Sequence, residues 1–160
     1  FEESEWVKPF ILPPCPHTAF ANYKVNRFIR ESQIVDGDFY VWMNDDDMMD
    51  AVVADKIRDM PDDLVYVSMK RGYHSPPVSN PISNHPTYTL YACPENVKLC
   101  GISAEQMFIR GKIFKALQYH KDHPWADGMM AMALKEIFPI RYEPGLFILF
   151  NYYEPGRWEK

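Results

Sequence analysis

The sequence predicts an α/β protein, a sandwich of helices around a mixed but mostly parallel sheet. Three observations carry that prediction. Apolar runs of strand length alternate along the chain with segments of helical period. The runs Phe39-Tyr40-Val41-Trp42-Met43 and Leu64-Val65-Tyr66-Val67-Ser68-Met69 are nearly continuous in aromatic and β-branched residues, as strands covered on both faces are. No internal repeat or linker interrupts the alternation, so the 160 residues read as one domain, 1–160.

Taken in order, residues 1–17 hold Pro9, Pro13, Pro14 and Pro16 and form an extended lead. Thr18 is placed to cap a helix whose Phe20, Tyr23, Phe28 and Ile29 follow the 3.6 period. After Gly37 comes the first strand, Asp38–Met43. Met48 to Met60 has the pattern of a helix, with Met49, Val52, Val53 and Ile57 on one face and Pro61 beyond its end. The second strand, Leu64–Met69, precedes a proline-rich polar loop at 71–87, and Tyr88–Ala92 reads as a short strand. Ser103 and Gln106 have the spacing of a capping box, which predicts a helix from Ser103 to about Leu117. A further helix spans Gly128–Phe138, and a strand spans Leu146–Tyr152.

Hydrophobic residues make up 47% of the chain and charged residues 24%, the balance of a globular domain. The net charge of −5 argues against nucleic acid as the principal partner. No apolar run approaches the roughly 18 residues of a membrane span. Cys15, Cys93 and Cys100 are an odd set without C-x-x-C spacing, which fits reduced thiols and a cytoplasmic setting. With His17 they also offer zinc-compatible atoms, but at uncommon spacing.

The sharpest feature is Asp45-Asp46-Asp47 at the end of an apolar strand. Adjacent carboxylates repel, and a cation or a helix N-terminus relieves them. Open α/β sheets bind ligands beyond the carboxyl ends of their strands, so acids delivered there are hard oxygen ligands for Mg2+ or Mn2+ beside a diphosphate. The other reading is that Asn44 or Asp45 caps the next helix.

The stretch Gly37–Asp47 resembles the segment leading into the DxD motif of GT-A fold glycosyltransferases. Asn22-Tyr23-Lys24-Val25-Asn26-Arg27 is similar to the helix before that strand, and Arg110-Gly111-Lys112, with Ile109 and Phe114, to the acceptor-side helix. His123-Pro124-Trp125-Ala126-Asp127-Gly128 resembles the tryptophan–acid segment. The resemblance covers residues 18 to 150 and implies a Rossmann-like GT-A sandwich. Only 44 residues precede Asp45, so the resemblance implies one of two things, a chain truncated at its N-terminal side or a protein that has lost conventional donor binding.

Carried over by position, the resemblance makes Asp45 and Asp47 the ligands of Mn2+ or Mg2+. Asp45, Asp46, Asp47 and Trp125 would contact the nucleotide-diphosphate sugar. Asp127 would be the base that deprotonates the acceptor hydroxyl, and it also stands where a helix cap would. The implied activity is inverting transfer of a hexose to a glycan or lipid-linked acceptor, peripheral to a membrane.

The alternatives are a non-catalytic carbohydrate- or protein-binding module derived from such an enzyme, and a metal-assisted phosphate hydrolase using the same carboxylates. Lys70-Arg71 is a further candidate for phosphate, against a surface charge pair. Arg110 and Lys112 are candidates for the diphosphate, against a solvated helix face. His120 and His123 have metal-compatible spacing at a helix end.

Overall fold

The structure is a computed structural model that describes residues 20–43, 47–49, 51–71, 89–99, 101–118 and 126–150. Its helices are α1 (Phe20–Glu31), α2 (Ala51–Arg58), α3 (Gly111–Phe114) and α4 (Ala126–Ile137). Its strands are β1 (Phe39–Tyr40), β2 (Met48–Met49), β3 (Leu64–Arg71), β4 (Thr89–Leu90), β5 (Met107–Arg110) and β6 (Arg141–Phe150). They form one curled, mixed sheet in the order β1-β5-β3-β6-β2, and β4 extends the β5 side of β3. The α/β expectation holds at this level.

The expectation of a mostly parallel sheet does not. Only β3 and β6 pair in parallel; β1–β5, β5–β3, β3–β4 and β2–β6 are antiparallel. Parallel neighbours need a crossover that carries the chain back to the starting end of the sheet. Between β3 and β5 the chain re-enters at the end it left, since Tyr66 pairs with Met107 and Leu64 with Ile109. Between the hydrogen-bonded neighbours β3 and β6, α4 supplies such a return, running back to Arg141 opposite Val65.

Period-2 alternation in β3 divides the core. Leu64 and Tyr66 face a cluster with Val25 and Ile29 of α1, Ile113 and Phe114 of α3, Ala131 and Leu134 of α4, and Met107 and Ile109 of β5. Val65 and Val67 face the other side, with Val53 and Ile57 of α2, Phe108, Leu146 and Ile148. Helices therefore cover both faces. The alternation persists past β1: Tyr40 and Trp42 pack on the first cluster, and Phe39, Val41 and Met43 on the second. Tyr40 stacks on Phe114 at 4.9 Å between centroids, fixing the β1 edge against α3.

Two predicted helices are corrected. Met48–Met49 is a strand rather than a first helical turn, because it completes the far edge of the sheet against Leu149 and Ile148. The segment 103–117 is not one helix. Ala104–Gln106 is a 3-10 turn, Met107–Arg110 is a buried strand, and helix resumes only at Gly111. Met107-Phe108-Ile109 satisfies two apolar surfaces at once by alternating between them, which a helix cannot do. No helix among the described residues is long and apolar enough to cross a membrane. The lead 1–17, Thr18, the loop 72–88, Cys15, His17, Cys100, His120 and His123 lie outside the described residues.

Candidate functional site at the carboxyl ends of the parallel strands

β1, β3 and β6 run in the same direction, but β1 stops at Tyr40, level with Leu64 at the start of β3, so the carboxyl edge of the sheet is formed by the ends of β3 and β6. At that edge Met48, Leu149, Lys70 and Thr89 form one row across β2, β6, β3 and β4. Asp47 precedes Met48 and so stands one position further out, level with Phe150 and Arg71. It is half-buried there. Asp45 and Asp46, the other acids of the cluster, lie outside the described residues, as does Trp125. Among the described residues no three His, Cys, Asp or Glu side chains converge to hold a metal.

Asp127 belongs to the same end. It lies in the first turn of α4, and Gly128 N–H donates to its Oδ1 at 2.8 Å. Burial pushes its carboxyl above the ordinary aspartate value, opposed by backbone hydrogen bonds from Gly128, from Asp127 itself and from Ala104. Ala104 opens the turn that leads into β5, whose Met107 enters the sheet opposite Tyr66 of β3. Gln106 fastens that turn: its side-chain amide donates to the Val67 carbonyl at 2.9 Å, and its Oε1 accepts from Ser103 N–H at 3.1 Å. The capping-box spacing thus marks a real hydrogen-bonded turn, although a strand follows it. Gly128 is required for the approach, because a Cβ there would lie 2.1 Å from the Leu99 carbonyl oxygen.

The basic candidates separate. Lys70 sits in the row at the carboxyl edge, exposed, with Nζ 4.2 Å from the centroid of the Phe147 ring. Arg110 is at the opposite end of the sheet and is committed to structure. Its guanidinium donates to the carbonyls of Asp62, Gly37 and Met60 and stacks 3.8 Å over Phe39. Lys112 pairs with Asp63 at 2.8 Å at that same end. Both therefore stand at the end of the sheet away from the carboxyl edge and are engaged by internal partners.

Sequence reasoning did not single out Tyr91 and Phe147, which meet at this edge edge-to-face with centroids 6.3 Å apart. Comparison of the chain with family models, with curated proteins and with solved structures finds no match.

Proposed function

We propose that the chain is a metal-dependent glycosyltransferase of the GT-A type, cytoplasmic and peripheral to a membrane. It transfers a hexose from a nucleotide-diphosphate sugar to a glycan or lipid-linked acceptor. The observation that supports this reading is that two acids distant in sequence lie toward the carboxyl end of the parallel pair: Asp47 one position beyond the β2–β6 row, and Asp127 in the first turn of α4, whose other end leads back to the start of β6. The carboxyl end is where open α/β sheets take their ligands.

In this reading Asp45 and Asp47 hold Mn2+ or Mg2+, whose donor preference is carboxylate and phosphate oxygen. The ion supplies charge neutralisation for the leaving diphosphate. Asp46 and Trp125 border the donor. Asp127 accepts the proton of the attacking acceptor hydroxyl. Its partial burial suits that role, since a carboxylate held above its ordinary pKa is the stronger base. The backbone donors around it oppose the effect of burial and orient the carboxylate.

A titration calorimetry panel of nucleoside diphosphates with Mn2+ tests the assignment. Binding that Asp45→Ala and Asp47→Ala abolish is the expected result; absence of heat with every nucleotide rejects it. The non-catalytic carbohydrate-binding reading draws on a different observation, the exposed Tyr91 ring. It predicts metal-independent glycan binding indifferent to Asp45.

A further inference from the structure

Ion pairs among the described residues gather around the amino end of the sheet. Around the amino end, Lys112 pairs with Asp63, Arg141 with Asp62 and Glu143, and Lys115 with Asp36. At the carboxyl end Lys70 makes no ion pair among the described residues, and its cation rests on the Phe147 ring instead. A lysine over an aromatic face is attracted to the ring while its outward N–H groups remain available.

Beside it, Tyr91 is 55% exposed and is the one aromatic among the exposed large hydrophobic side chains of the described residues. Its position is fixed. The Tyr91 carbonyl accepts from Asn96 Nδ2 at 2.8 Å, the next N–H, of Ala92, donates to Ser68 Oγ at 2.9 Å, and its ring abuts Phe147. Lys70 shares the face of β3 that carries Leu64 and Tyr66, the face on which α4 and Asp127 lie.

We infer that Lys70, Tyr91 and Phe147 form a saccharide subsite selective for a hexose bearing a negative charge, a carboxylate or a phosphate. The apolar face of the sugar ring lies on Tyr91, and Lys70 receives the anion. That this subsite serves the acceptor rests on the transferase reading; the binding itself does not. A rigid, half-wet aromatic supplies contact area at little cost in conformational freedom, and a neighbouring cation adds selectivity between sugars of the same shape.

The test is an NMR titration of the full chain with glucuronate, glucose 1-phosphate, glucose and inorganic phosphate. At least one anionic sugar should bind about tenfold more tightly than glucose, roughly 1.4 kcal/mol. The two anionic sugars tell carboxylate from phosphate. Lys70→Gln, a change at an exposed side chain, should bring the ratio of anionic to neutral sugar to about one. Tyr91→Ala should weaken all three sugars and leave inorganic phosphate unchanged.

Glucose binding as tightly as both anionic sugars, inorganic phosphate matching glucose 1-phosphate, or a preference that survives Lys70→Gln would each overturn the inference. The nucleotide panel separates it from the enzymatic reading. Nucleotide binding without anionic-sugar preference leaves the transferase and removes the subsite. The converse leaves an anionic-sugar-binding module.

Discussion

The Ser68 hydroxyl donates to the Pro144 carbonyl at 3.0 Å where β6 slips out of register with β3. Val67 pairs with Glu143, but Ser68 pairs with Phe147, so residues 144–146 bulge. The same oxygen accepts from Ala92 N–H at 2.9 Å. One buried hydroxyl thus joins the bulge to the segment that follows β4. Ser68→Ala leaves a buried N–H without its acceptor and should lower stability by about 1–3 kcal/mol, read as a shift in urea midpoint at constant slope. An unchanged midpoint would show that water or a backbone shift replaces the hydroxyl.

Gly111 should be far less tolerant than Gly145. A Cβ on Gly111 would fall 1.9 Å from the Val35 carbonyl oxygen, and the Gly111 N–H is bound to Asp38 O at 2.8 Å, so the two backbones cannot separate freely. Gly111→Ala should cost about 3 kcal/mol by overpacking. Gly145→Ala, with nothing within 4 Å of its added Cβ, should stay within about 0.5 kcal/mol of the parent. Thermal melts of the pair decide it, and equal losses would contradict the packing described.

The contrast between β3 and β5 marks how far the sequence could be read. Strand β3 was plain, because a buried strand of β-branched and aromatic residues admits one reading. Met107-Phe108-Ile109 was not, since three consecutive apolar residues fit a helix or a strand until the two surfaces they fill are known. The direction of β5 depended on where a long connection re-enters the sheet, a property absent from local pattern. The acid cluster and Asp127 were visible as residue types. Tyr91 and Phe147 were invisible as partners because they meet across β3, from the segment after β4 and from β6. Arg110 drew attention by its charge, yet its Nε donates to the Asp62 carbonyl at 3.3 Å, a bond that no spacing rule anticipates.

That tethering gives Arg110 a structural signature. Arg110→Lys keeps the charge but loses the planar fork that reaches the carbonyls of Asp62, Gly37 and Met60, and the stacking on Phe39. Stability should fall by about 1–3 kcal/mol. Nucleotide affinity, measured where the variant is fully folded, should be unchanged. A fall in affinity with stability preserved would return Arg110 to the ligand site.

Asp127 makes opposite predictions for stability and for activity. Burial raises its folded pKa above the unfolded value, so folding favours the protonated acid. That contribution is fully present below the unfolded pKa and is lost as pH rises through the raised folded one. At neutral pH the buried carboxylate is therefore a burden that Asp127→Asn relieves, while the asparagine oxygen can still accept from Gly128 N–H. The variant should be at least as stable as the parent near pH 7, with its advantage shrinking as pH falls through the raised pKa. Transfer activity should behave the other way. It should rise with pH through a midpoint above the ordinary aspartate range, and Asp127→Asn should reduce it by roughly 10²–10⁴-fold and flatten that limb. A variant that is less stable at neutral pH and retains full turnover would make Asp127 a structural acid of the α4 start and nothing more.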